Sequence, residues 1–361
     1  MSSLRTAGFA GFSIVAFFLL WGVVDPAAGQ TNGTGQGQNA AGIYIDSAGV
    51  VQPVLANGRS ETLEKTRMAE AASRDLSADV NFPSDVRKVS LVRLQAELAS
   101  ISREGGTIPD DVFYLAGLQR IDFVFVYPES NDIVIAGPAE GFAPNSIGRT
   151  VRISTGRTPL RLDDMMLAFR AAWRKRPVGC SIDPTPKNLA ALQKYIAANS
   201  DPVTVRVARS RYLAMADVLG MQNVRVHGVP GDSHFAQALV EADYRMKRIA
   251  MALEPSGVPG LQSHLSMLEP DGNSMQRWWL TPLYEAIITT ADRNAFELVG
   301  QRVQMMAQEE IADSAGNRRS AATTRKTTRK YARLFTEKFS QLADSSPAFA
   351  ELQNLFDLLV V

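Results

Sequence analysis

Cysteine is nearly absent from this chain: among 361 residues, Cys180 is the one thiol. An intrachain disulfide is therefore excluded, and the fold must be held by its core. Histidine is almost as scarce, at three residues, so the sequence offers no zinc framework of Cys and His pairs and names no metal or cofactor. Neither sign of charge prevails. Lysine plus arginine number 38 against 37 acids, a formal net charge of +1, which removes any global argument for a nucleic-acid partner. Also missing is an apolar run long enough for a membrane span. The densest, Phe12 to Val24, falls short of the ~20 residues a crossing helix needs.

What is present is ordinary globular material, 45% hydrophobic and 21% charged, enough for one large core or two smaller ones. Residues 1–29 stand apart. Arg5 gives a positive start, the apolar run follows, and Ala27-Ala28-Gly29 supplies a small-residue exit. Those three parts predict a secretory signal cleaved before Gln30, leaving no membrane span, and hence a periplasmic, envelope or secreted protein. Residues 30–41, rich in Gly, Gln and Asn, read as a flexible linker.

From Gly42 the patterning predicts an α/β or α+β fold of mixed sheets with helices packed on them and a helical C-terminal end. Residues 42–158 read as an N-terminal α+β part. It holds a strand–turn–strand at 42–51, a polar alanine-rich surface helix at 60–78, an amphipathic helix at 89–101, a hairpin over 121–136 and a strand near 151–154. Residues 159–255 read as helix, strand, helix twice over, about 45 residues apart, which suggests a duplicated unit or the routine alternation of an α/β domain. In its second half Phe235, Leu239, Ala242, Met246, Ile249 and Leu253 repeat at helical steps, with Asp232 placed to cap that helix. Asp243 to Lys247 and Glu241 to Arg245 look like solvent-side pairs, each worth about 0.2–0.5 kcal/mol. Residues 256–361 read as a strand hairpin and helices, with one helix over 321–343 and a last one striped by Phe349, Leu352, Phe356 and Leu359. The uncapped apolar exit Leu358 to Val361 suggests docking into a core or a sequence cut from a longer protein, and the second is preferred.

Three segments carry a resemblance. Gly228-Val229-Pro230-Gly231-Asp232-Ser233-His234-Phe235-Ala236 running on to Lys247, the segment Cys180 to Pro186, and Gly42 to Val51 resemble a family of uncharacterised exported proteins from planctomycete bacteria, a domain of unknown function. The resemblance implies export and an intact domain. It brings no catalytic residue.

The candidate chemistry is thin. Cys180 with His227, Asp232 and His234 could form a nucleophile–base set if two neighbouring strands converge, since a thiolate needs a basic partner and that partner an orienting group. Against this, a cysteine in the apolar stretch 177–182 is by default a small buried side chain. His227, Asp232 and His234 match no metal-site spacing, and the glycines at 228 and 231 are more simply turn residues than an anion loop. Arg325, Lys326, Arg329, Lys330 and Arg333 share a helical face free of acids and could meet an anionic envelope polymer or an acidic protein. Of Trp278 and Trp279, strand alternation places one ring in the core and leaves the other as a contact residue. The reading this favours is a non-enzymatic exported binding or scaffold module of the cell envelope. The alternative is a hydrolase-like enzyme using Cys180 and His227.

Overall fold

A computed structural model describes residues 40–45, 51–55, 58–199, 205–267, 275–313 and 315–361; residues 1–29, read above as a secretory signal, and nearly all of 30–41, read as a linker, lie outside them. The fold is mixed α+β, and every paired strand is antiparallel. β1 (Ala40–Ile45) and β2 (Val51–Leu55) form a hairpin. α1 (Gly58–Asp75) and the short α2 (Ala78–Asn81) follow. The polar face predicted for α1 is there, and Met68 and Ala72 tuck beneath it against Ala143 and Phe142 of a small hairpin, β6 (Phe142–Pro144) and β7 (Thr150–Arg152).

β3 (Ser84–Ser90) leads into α3 (Leu91–Glu104), where the Ser90 hydroxyl accepts from the Arg93 amide as N-cap and Gly105 ends the helix at φ 68°. After the short α4 (Asp110–Phe113) come β4 (Phe123–Tyr127) and β5 (Asp132–Ala139), the expected hairpin. With β11 (Ile288–Thr289) and β12 (Ala295–Glu297) they make a five-stranded sheet in the order β11-β12-β4-β5-β3. β5 lies inside that sheet, so Val134, Ile135 and Ala136 are all buried rather than alternating. Gly137 must be glycine: a Cβ there would stand 2.2 Å from the Arg120 carbonyl oxygen.

The middle of the chain is two helix–strand–helix units. α5 (Leu162–Trp173), β8 (Gly179–Asp183) and α6 (Pro186–Ala198) are followed by α7 (Val205–Leu219), β9 (Asn223–His227) and α8 (His234–Ala250). β8 and β9 pair with each other, Gly179 opposite His227 and Asp183 opposite Asn223, while α6 packs on α7 and α5 on α8. The two helix–strand–helix units read from the sequence are present and meet along their strands. Gly220 (φ 60°) stops α7 as predicted, and Thr185 caps α6 with Pro186 in its first turn.

β10 (Met275–Leu283) and β13 (Arg302–Ala312) form a long hairpin extended by β14 (Arg318–Ser320). The single helix expected over 321–343 is two, α9 (Lys326–Glu337) and α10 (Phe339–Ser345), broken at Lys338. α11 (Pro347–Val360) is buried on every side from Ala348 to Leu358, because α5, α8, α10 and β13 surround it. One apolar cluster therefore joins Leu118 and Ile135, Phe235 and Met246, and Trp278, Phe335 and Phe356.

A buried charge network ties the parts. Asp357 of α11, fully buried, accepts from the Ile121 amide at 2.9 Å and from Arg302 Nη1 at 2.6 Å, and the Tyr284 hydroxyl also donates to it. Arg302 in turn donates to the Ile121 carbonyl at 2.8 Å, binding the N-terminal sheet to β13 and α11 at one point.

Candidate functional site

The strand register settles where Cys180 points. It is paired with Val226, whereas His227 stands opposite Gly179, where a Cβ would meet its ring at 2.9 Å. Paired residues share a face and neighbours alternate, so the Cys180 and His227 side chains leave opposite faces of the β8–β9 sheet. The Cys180 sulfur faces α8, 3.5 Å from the Leu239 carbonyl oxygen, and burial, with the nearby Asp243 charge adding to it, pushes the thiol far above the ordinary range. A thiol so held is a poor nucleophile. Burial also pushes the His227 imidazole down.

The other sequence-selected residues scatter. Asp232 is exposed and caps nothing; the cap of α8 is its neighbour Ser233, whose hydroxyl accepts from the Ala236 amide at 3.2 Å. Asp232 still lies in the tight turn before the helix, whereas Ser233 has the extended backbone (φ −79°, ψ 155°) a cap requires. Gly228, at φ 87°, is a turn glycine in close approach, since a Cβ would sit 2.4 Å from the Pro177 carbonyl. His234 is not a surface residue but the centre of a charge cluster. Its Nδ1 lies 2.7 Å from Asp164 of α5 and its Nε2 3.7 Å from Glu351 of α11. Burial alone would push this imidazole down; the two carboxylates prevail and push it up to about 9. Arg149 bridges Glu351 and Glu241 beside it. The third histidine, His264, is packed against Trp278 and Tyr331 and pushed down to about 4 by burial.

Trp278 is the core ring of its pair, while Trp279 is partly buried beneath the Arg277 guanidinium. On the basic face, Arg325 precedes α9 and both its amide and its guanidinium engage Glu309. Arg329 donates to the Thr324 carbonyl and Arg333 pairs with Glu337 at 3.6 Å, while Lys326 and Lys330 extend into solvent.

The feature the sequence did not single out is a cleft. α8 carries its buried stripe as expected, and beside it Ala236, Val240 and Tyr244, with Met251 just past the end of the helix, line the cleft. Opposite, Ile182, Val224 and Val226 lie on the same face of β8–β9 as Cys180 and are the far wall. The end of α7 closes one side, and the space enclosed is about 1040 Å³. Met221, Val224 and Tyr244 at its edge are 90%, 53% and 51% exposed, an apolar rim that no element covers among the described residues. Lys247 reaches the floor, almost fully buried, ion-paired with Asp243 one turn back. This pair looked like solvent-side decoration in the sequence; it is core. Burial draws Lys247 down and Asp243 up, each opposed by the other's charge. Behind them, Asp243 and Cys180 line a separate cavity of about 50 Å³ against Leu352 and Phe356.

The cleft lies in a segment with known relatives. Residues 180–264 match a protein family of unknown function, DUF1598. The DUF1598 segment holds both walls of the cleft and the Asp243–Lys247 pair, but neither α5 nor α11. No curated protein and no solved structure matches the chain.

Proposed function

We propose that the protein is a non-catalytic binding module that holds an apolar or amphipathic small molecule in the cleft between α8 and the β8–β9 sheet. The observation that carries this reading is the cleft itself: its volume of about 1040 Å³ is of the size that buries an acyl chain or a drug-sized ligand, and its walls are mostly apolar, with Gln237, Glu241, Lys247 and Arg248 as polar groups among them. The alternative, cysteine hydrolysis, has less support, because His227 leaves the opposite face of the sheet and burial with the Asp243 charge holds Cys180 as the thiol. The three-part N-terminal pattern supports action outside the cytoplasm, in the envelope or beyond. Among the described residues no helix is long and apolar enough to cross a membrane. The exposed cations Lys326, Arg329, Lys330 and Arg333 support an anionic envelope polymer or acidic protein as a scaffold partner.

The test is a titration with an environment-sensitive apolar fluorophore and competition by fatty acids of rising length. Saturable binding of one probe per chain is expected. Val240→Trp, which fills the cleft from α8, is expected to weaken it at least tenfold with the circular dichroism spectrum unchanged. Probe binding that is non-saturable, or indifferent to Val240→Trp, would overturn the reading.

A further inference from the structure

The outer face of α5 has no neighbour among the described residues and an unusual composition. Met166, Arg170 and Trp173 fall at steps of four and three, so they share one stripe, opposite the buried Asp164, Ala168 and Ala171. Trp173 is 89% exposed and Met166 42%. A solvated tryptophan ring leaves a large apolar surface in water, and Trp is ordinarily found with its indole at least partly covered.

Directly after it come Arg174, Lys175 and Arg176, all exposed. With Arg170 they place four cations around one indole, and no acidic side chain among the described residues lies within ion-pair distance of any of them. That separates this patch from the α9 face, where Arg325 and Arg333 are engaged by Glu309 and Glu337. Cations at a helix C-terminus also complement the helix dipole, which accounts for one or two of them and not for the bare ring.

The patch is held in shape. The Arg176 amide donates to the Ala171 carbonyl at 3.0 Å and the Lys175 amide to the Ala172 carbonyl at 2.9 Å, the paired bonds of a Schellman turn. Its left-handed position is occupied by Lys175 at φ 50°, where glycine is the unstrained choice. A charged side chain thus stands where backbone economy favours none.

We propose that this knob, Trp173 ringed by Arg170, Arg174, Lys175 and Arg176, docks the protein onto an anionic bilayer surface. The indole enters the interfacial layer, where its apolar body and its N–H are both satisfied, and the cations meet lipid phosphates. A soluble polyanion or an acidic protein would satisfy the cations and leave the ring and Met166 uncovered, so the bilayer accounts for both halves of the patch.

The experiment is flotation of the whole protein with phosphatidylcholine vesicles, with and without phosphatidylglycerol, together with tryptophan emission. Binding only to the anionic vesicles is expected, with a blue shift that Trp173→Phe removes. Near an anionic surface each cation strengthens partition about fivefold, so the triple change Arg174→Gln, Lys175→Gly, Arg176→Gln should weaken it about a hundredfold. The glycine preserves the turn, which keeps loss of charge separate from loss of fold. Salt raised from about 0.1 M to about 1 M should release the protein, as the screening length falls to about 3 Å. Equal binding to neutral vesicles, indifference to the triple change, or capture by soluble heparin without binding to vesicles would each overturn the proposal. The Val240→Trp variant should float like the parent, because the knob and the cleft are distinct sites.

Discussion

Lys247→Met is the substitution that best separates a core ion pair from a surface one. Asp243 and Lys247 are each about 95% removed from solvent, with relative exposures of 6% and 5%. An exposed pair four residues apart on a helix contributes about 0.3–0.5 kcal/mol, so losing it would scarcely register. Removing one partner of a buried pair strands the other charge and costs about 3–5 kcal/mol. Lys247→Met keeps the length of the side chain and deletes the charge, so the loss is electrostatic rather than a cavity. The double variant Asp243→Leu, Lys247→Met should recover most of it, since a buried pair replaced by apolar groups of similar size is often neutral or stabilising.

The assay is urea unfolding of the parent, both single variants and the double, closed as a cycle. A pH series adds a second signature. With Lys247 gone, desolvation raises the folded pKa of Asp243 above its unfolded value, so the folded state binds the extra proton. Stability of Lys247→Met should therefore fall as pH rises above about 4, the unfolded aspartate value, and fall more steeply than in the parent, where the Lys247 charge opposes the upward push of burial on Asp243. A single-variant cost under about 1 kcal/mol, or a cycle with no coupling, would refute the burial argument.

Further outcomes follow from the same geometry. The His234 imidazole is pushed up to about 9, above its ordinary 6.5, so its contribution is fully present below pH 6.5 and is lost as pH rises through about 9. A thermal-melt series from neutral to alkaline pH should show that decline, and His234→Gln should flatten it. Asp357→Ala removes the acceptor shared by Arg302, Tyr284 and the Ile121 amide and should cost about 3–5 kcal/mol in urea unfolding, against about 1 kcal/mol for Tyr284→Phe. N-terminal sequencing of the protein recovered from an exporting host should begin at Gln30, and an intact Met1 would remove the secretory reading.

Periodic apolar stripes made most of the architecture legible. α8 announces itself by a repeat that its burial follows, and apolar runs mark α11 and the β4–β5 hairpin, although α11 and β5 are then buried beyond their stripes. β13 was harder to read, because Glu309 and Glu310 sit in its buried stretch and break the pattern. Their counter-charges, Arg325 for one and Arg277 with Arg318 for the other, come from other elements that a local window cannot see. The same blindness hid the site. Asp243 and Lys247 have the spacing of a surface pair, and His234 reads as a loop histidine until α5 and α11 bring Asp164 and Glu351 to it. The cleft had one trace in sequence, Val240 and Tyr244 on a helix already supplied with a buried face, with Met251 just past its end. A stripe widened in this way marks a helix that owes surface to something besides its own core.

The limits of the matched segment and the limits of the folded unit do not coincide. Residues 180–264 begin inside β8, after α5 has already passed, and finish before the β10–β13 hairpin and α11. Yet α8, the longest helix of that segment, buries its main stripe against α5 and α11. Excised alone, the segment would carry Phe235, Leu239 and Met246 uncovered and would aggregate before it could display a cleft. In this chain that cover comes from α5 and α11, so the shape of the cleft depends on helices that lie outside the matched segment.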